Sequence, residues 1–384
     1  MNILFFDMGS YLYRDILDCL QAFGHEVHTV YYHFDDRYHD DYFCECFAEK
    51  LSARPYDMVL SVNFFPLVAV LCHEKGLPYV AWSCDSPLAE GLEDYFDLET
   101  NRIYLFDRAE VAEYQKRGHG NVYHLPLAVN TDRLSSLQFS PEDARRFTAD
   151  VSFVGMLYES SLDALVAPLD DYCRGYLQGA MDSQMLLTGC DLISPMLSDD
   201  FLTRVNDCYR MLSEKLGTGY TPINRKGLTF ALQKQITFAE RFSLLSAFGE
   251  LCDTAFYSTK NYDFGSGVRF CGPVKYHTEM PAVFRFSALN LCPTLRSIIS
   301  GIPLRSLDIM ACGGALLSNA QPELVESFTD GEDLILYNSL EEALDKAQYY
   351  LAHRDLLAGI AASGQQKVRA EFSYPDKVRQ LLVL

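Results

Sequence analysis

The chain has 384 residues, 49% hydrophobic and 22% charged, with a formal net charge of −20. This length accommodates two or three domains, and the composition excludes a disordered chain. The acidic balance argues against nucleic acid or an anionic membrane as a partner of the whole surface, so an anionic ligand needs a locally basic pocket. No apolar run approaches the roughly 18 residues of a membrane span, which predicts a protein not integral to a membrane. Twelve cysteines are scattered without C-x-x-C or zinc-finger spacing, and Cys271 and Cys312 sit in apolar runs, a pattern that suits a reducing cytoplasm. Met1 to Asp7 lacks a basic lead and reads as a strand, not a targeting peptide.

Strands are expected at Ile3–Phe6, His25–Tyr32, Met58–Val62, Tyr79–Trp82, Ile103–Phe106 and Val122–Leu125. Between them, helical patterns cover Tyr11–Phe23, Tyr42–Ala53, Leu67–Lys75 and Ala109–Lys116, with Gly24 and Gly76 as helix stops. This alternation predicts a doubly wound parallel sheet. Residues 126–149 read as a linker with one short helix, and a strand restarts at Asp150–Val154. From Leu162 to about Glu250 the chain is helical. Strands then return at Asp253–Ser258, Val268–Cys271, Leu289–Leu291, Ala315–Ser318 and Leu334–Tyr337, with helices at Met280–Ala288, Leu304–Ala311 and Leu340–Ala352. The boundaries are 1–145, 146–370 with a helical insertion over about 160–250, and a tail, 371–384, expected to pack back on the first domain. Ligands of such sheets sit beyond the strands' carboxyl ends, so the cleft between the two domains is the expected active site.

The stretch Phe264–Ser306 carries Arg269, Lys275, Arg285, Arg296 and Arg305 against Glu279 alone, an excess of cations suited to an anion. Gly301-Ile302-Pro303 opens a helix and Gly313-Gly314 closes it. Backbone N–H groups at such glycine turns can approach a diphosphate, although Gly313-Gly314 also reads as an ordinary helix stop. Asp308, one turn into that helix, suits a ribose diol. Past the strand ends of the first domain lie Asp7, Asn63 and Asp85. Asp85 is the leading candidate for a general base on an acceptor hydroxyl, with a turn cap before Pro87 as its alternative role. His33, Asp35, Asp36, His39, Asp40 and Asp41 match no metal template and read as a solvated loop, so no metal site is expected. His119 and His124 read as structural, and Gly265-Ser266-Gly267 lacks the third glycine of a dinucleotide fingerprint.

Asn290–Cys292, Thr294-Leu295-Arg296, Ser300–Arg305, Asp308–Gly314, Gln321–Leu324 and Asp330–Leu334 together resemble the carboxy-terminal half of GT-B glycosyltransferases similar to the spore-maturation protein CgeB. Tyr56–Val59, Ser61–Pro66, Gly76–Val80 and Trp82–Pro87 resemble the domain that often precedes it. The resemblance implies a GT-B fold of two Rossmann-like domains facing a central cleft. It also implies a nucleotide-sugar donor (a UDP-sugar first) on the carboxy-terminal domain, an acceptor on the amino-terminal domain, and no obligatory metal. Retaining relatives carry two glutamates eight positions apart, the first facing the donor sugar and the second holding the ribose. The corresponding residues are Ser300 and Asp308, so the second role is kept and the first carboxylate is missing. The same alignment places Gly272, Val274 and Tyr276 beside the base and Gly155 beside the phosphates, with Thr294 in the donor set. Arg305, then Lys275, is expected to absorb charge on the leaving diphosphate. The expected activity is glycosyl transfer to a protein, a surface polymer or a small molecule. The alternatives are a nucleotide-sugar epimerase of the same architecture and an inactive nucleotide-sugar-binding module.

Overall fold

Ile3, Leu4, Phe5 and Phe6 are fully buried, as a strand covered by helices on both faces demands. The computed structural model describes residues 1–383, which separate into two units. The first comprises Met1–Ser136, Gly301–Ala311 and the chain from Gln366 onward; the second comprises Leu137–Ser300 and Cys312–Gln365.

The first unit is a six-stranded parallel sheet of β1 (Asn2–Asp7), β2 (Glu26–Tyr31), β3 (Met58–Val62), β4 (Tyr79–Ser83), β5 (Asn101–Leu105) and β6 (Val122–His124), in the order β2-β1-β3-β4-β5-β6. Phe6, Phe34, Phe43, Phe47 and Phe65 cluster on one face. The final helix, Tyr374–Leu381, belongs here too: Tyr374 packs edge-on against Trp82, and Val129 N–H donates to the Phe372 carbonyl.

The second unit holds β7 (Ala149–Val154), β8 (Thr254–Tyr257), β9 (Arg269–Phe270), β10 (Ser287–Leu291), β11 (Leu316–Asn319) and β12 (Ile335–Tyr337), ordered β12-β11-β10-β7-β8-β9 and all parallel. Between β7 and β8 come five helices, Leu162–Val166, Asp171–Met185, Ile193–Met196, Asp199–Leu216 and Arg225–Leu251. They have an apolar core of their own, including Cys173, Leu177, Ile193, Val205, Leu232 and Ile236. The 27-residue helix Arg225–Leu251 serves both cores, giving Leu232 and Ile236 to the bundle and Leu244, Leu245 and Phe248 to the sheet. The expected linker holds two short helices, not one. Thr131–Ser136 lies in the first unit, and Pro141–Phe147 in the second begins with a capping box of Ser140 and Asp143. Among the described residues no helix is long and apolar enough to cross a membrane.

Candidate functional site

In each sheet the first strand lies inside, with later strands added on either side, and the crevice at that reversal is where an open α/β sheet receives its ligand. In the second unit this point lies between β7 and β10, so the loops after Val154 and after Leu291 flank it.

The loop after β10 is fastened to one face of the helix Arg225–Leu251. Arg296 N–H donates to the Thr237 hydroxyl at 3.0 Å, and Arg296 Nε to Glu240 at 3.0 Å. Arg241 donates to the Pro293 carbonyl through Nε and Nη2 at 3.1 and 2.5 Å. Positions 237, 240 and 241 share a helix face by the i, i+3, i+4 rule. The chain's other end of this loop is tied to the loop after β11. Thr294 N–H donates to Asn319 Oδ1 at 2.8 Å, and the buried Ser300 hydroxyl donates to the buried Glu323 carboxylate at 2.8 Å. Glu323 N–H returns to the Ser300 carbonyl at 3.0 Å. The position lacking a carboxylate in sequence thus has one beside it, from a residue 23 positions later.

The helical bundle forms a wall of the same region. Gln184, Gly189 and Cys190 line a small depression with Thr294, Arg296, Ile298, Asn319 and Gln321. The Thr294 hydroxyl is buried there without a hydrogen-bond partner. Arg296 Nη1 donates to the Leu187 carbonyl at 2.9 Å, and a Cβ on Gly189 would stand 2.8 Å from Pro322.

The cation excess of Phe264–Ser306 is smaller in space than in sequence. Arg296 is neutralised by Glu240, both well buried, and Arg269 pairs with Asp253 at 3.1 Å. Lys275 and Arg285 are exposed and make no ion pair among the described residues. Glu279 accepts the Lys275 backbone N–H at 3.0 Å and pairs with Arg146 at 3.0 Å. Those two contacts, the N–H first, hold its carboxyl below the ordinary value. The acid thus shapes the turn that carries Val274, Lys275 and Tyr276. Gly272 precedes that turn at φ +75° with open space around its Cα. Gly155 follows β7 and donates its N–H to the Tyr257 carbonyl at 3.0 Å.

Gly301, Arg305 and Asp308 fall in the first unit, whereas Gly155, Gly272, Val274, Lys275, Tyr276, Thr294, Ser300, Gly313 and Gly314 fall in the second. Gly301 lies against backbone: a Cβ there would meet the Asp107 Cα at 3.0 Å. Arg305 Nη1 stands 3.9 Å from the buried Asp308 carboxylate. Gly313, at φ +78°, is the left-handed residue just past the helix Leu304–Ala311.

In the first unit the reversal lies between β1 and β3, which places Asp7 and Asn63 beside it. Asp7 is buried and accepts the N–H groups of Gly9 and Ser10 at 3.1 and 3.0 Å, so its carboxylate builds the turn. Asn63 holds φ at +67°, unusual for a side chain with a Cβ. Its Oδ1 accepts Cys84 N–H at 2.9 Å, and its Nδ2 donates to Asp85 at 2.8 Å. Asp85 reaches solvent at the rim of crowded protein. That desolvation raises its carboxyl above the usual value, against opposing pulls from Asn63 and Arg37. The neighbouring Cys84 thiol is pushed up to about 12, by burial first and by the Asp85 charge second.

Sequence reasoning missed three features of the two units. Asp15 is buried and held by Arg133 at 3.0 and 2.9 Å and by Asn130 at 2.9 Å. Glu323 and Arg241 are the other two. For Arg241 the sequence signal was the Thr237, Glu240 and Arg241 face at i, i+3, i+4 of one helix. Among the described residues, Asp170, Cys173 and Cys208 are the one group whose ligand atoms gather within 4.8 Å, and Arg204 occupies that aspartate at 2.7 Å. The acid–histidine loop makes local hydrogen bonds instead, with Asp40 capping the helix Asp41–Ser52 and accepting the Tyr32 hydroxyl at 2.8 Å.

Residues 231–383 match the family model described as glycosyl transferase-like. No curated protein sequence matches the chain. Among solved structures, a glycosyltransferase from Rickettsia africae is similar at a TM-score of 0.57 and 10% identity, over 99% of this chain and 96% of that one. HepE from Anabaena, solved with UDP and glucose, is similar at 0.53 and 12%, over 99% and 98%. Sucrose-phosphate synthase from Thermosynechococcus elongatus is similar at 0.51 and 13%, over 99% and 97%. Two six-stranded parallel sheets with flanking helices are thus the GT-B fold, and residues 231–383, which draw on both units, are similar to the glycosyl transferase-like family.

Proposed function

We propose that this protein transfers a sugar from a nucleotide-diphosphate-sugar, a UDP-sugar first, to a hydroxyl group of an acceptor. The observation that carries this reading is the Ser300–Glu323 pair. Where retaining relatives hold a carboxylate toward the donor sugar, this chain has a serine whose hydroxyl is bound to a buried glutamate. The glycosyl transferase-like match over 231–383 and the similarity to a structure containing UDP and glucose support the same reading.

In this reading Gly155, Gly272, Val274, Tyr276, Thr294 and the turns at Gly301 and Gly313-Gly314 receive the nucleotide. Asp308 takes the ribose hydroxyls. Transfer leaves a nucleoside diphosphate, and fixed cations must absorb the charge that develops on it. Arg305 has that role, with Lys275 second. Asp85 removes the proton from the acceptor hydroxyl, which then bonds to the sugar's anomeric carbon as the diphosphate departs. Asn63 fixes the direction of that carboxylate, while Asp7 shapes the turn beside it. The reaction needs no metal ion.

The test is incubation with UDP-, GDP- and dTDP-sugars and a panel of protein, polymer and small-molecule hydroxyl acceptors, in the presence and absence of EDTA. Released nucleotide, any new sugar isomer and melting temperature are followed together. The expected result is nucleotide release that survives EDTA, with no isomer. Accumulation of an isomer identifies an epimerase. Thermal stabilisation (about 2.7 kcal/mol at 100 times the dissociation constant) with neither product identifies a binding module. Either result overturns the transferase.

A further inference from the structure

The guanidinium of Arg241 is buried, at 8% exposure, directly beneath the two loops that flank the crevice of the second unit. It donates twice to the Pro293 carbonyl after β10 and once, through Nη1 at 2.6 Å, to the Met156 carbonyl after β7. The Phe153 and Tyr158 rings lie 5.3 and 5.1 Å from it. Tyr158 reaches this position from a left-handed backbone at φ +64°, a conformation that a non-glycine residue keeps only where its surroundings enforce it. No carboxylate hydrogen-bonds Arg241 among the described residues; the Glu240 charge reaches it through space, but that carboxylate is paired with Arg296. Burial lowers the pKa of this guanidinium, but arginine keeps its charge at any physiological pH. A buried cation satisfied only by carbonyl dipoles and ring faces retains an electrostatic demand for an anion.

We propose that Arg241 is a positioning residue for a diphosphate: it locks together the two loops bordering the β7–β10 crevice, and its uncompensated charge draws the diphosphate of the donor into that crevice. This rests on the nucleotide-sugar reading above and adds a residue and a physical origin for the anion preference. The residue acts through loop backbone and through space, without contact with the reacting atoms.

The experiment measures dissociation constants of uridine, UMP and UDP for the wild type, Arg241→Met and Arg241→Lys, after circular dichroism has established that each variant is folded. In the wild type, affinity rises with each phosphate. In Arg241→Met, UDP affinity falls at least tenfold and uridine affinity less than twofold, so the phosphate ladder collapses. Arg241→Lys keeps the charge, so it retains most of the ladder, with uridine affinity again within twofold of the wild type. An equal loss for uridine and UDP in Arg241→Met, or no loss, overturns the proposal. If Arg241→Met does not fold, the lysine variant decides: disappearance of its ladder overturns the electrostatic role, and retention supports it. A wild type that binds no UDP, GDP or dTDP overturns the nucleotide reading itself, a result distinct from the others.

Discussion

In the proposed reaction Asp85 is the base, and one left-handed backbone position, Asn63, orients its carboxylate. Asn63 takes a left-handed conformation at the end of β3, and its amide thereby divides between Cys84 N–H and the Asp85 carboxylate. A general base must be ionised, so with Asp85 raised by desolvation, transfer falls as pH drops through that raised value. The Asn63 N–H stabilises the ionised form, and removing it raises the Asp85 pKa further. Asn63→Ala therefore moves the acidic limb of the kcat/KM profile to higher pH, and Asp85→Asn lowers kcat about 100-fold or more, as typical for a lost general base. An unmoved limb in Asn63→Ala rules out this coupling. The three first-unit candidates were legible because each follows an apolar strand in sequence. Their unequal roles were not, since an aspartate that caps a turn, as Asp7 does, looks the same in sequence as one that faces solvent.

At the scale of elements, apolar runs buried on both faces announced most of the strands, and glycine stops marked several helix ends. Short elements escaped. The six-residue helix Pro322–Ser327 is too brief for periodicity, so Glu323 passed as an unremarkable member of a Gln-Pro-Glu-Leu run. Its hydrogen bond to Ser300 joins the loops after β10 and β11, a pairing decided by sheet order alone. The segment Gly301–Ala311 was equally unreadable in its allegiance, being bounded on both sides by chain of the second unit yet packing with the first. Its glycine makes that packing testable. A methyl group at Gly301 would press on the Asp107 backbone at 3.0 Å, which cannot rotate away as a side chain could. Overpacking of this kind costs about 1–3 kcal/mol. Gly301→Ala is thus expected to lower the melting temperature of the first unit by several degrees, and an unchanged melt removes this explanation for the glycine.

For the whole molecule, charge sets the terms of approach. A chain of net charge −20 repels a nucleotide anion at long range, whatever cations await it locally. The Debye length shrinks from about 30 Å at 0.01 M ionic strength to about 8 Å at 0.15 M. Association of a nucleotide sugar should therefore quicken as salt rises over that range, as read by stopped-flow fluorescence. Slowing over the same range means that local cations dominate even at a distance. The helix Arg225–Leu251 carries a different consequence. Its amino-terminal half completes the helical bundle, its carboxy-terminal half completes the sheet, and Thr237, Glu240 and Arg241 at the junction grip the crevice loop. Excising the bundle would bare one apolar stripe, and cutting beyond the junction would release the crevice. Grafting a foreign bundle onto this scaffold must therefore splice just before Thr237, leaving the grip in place.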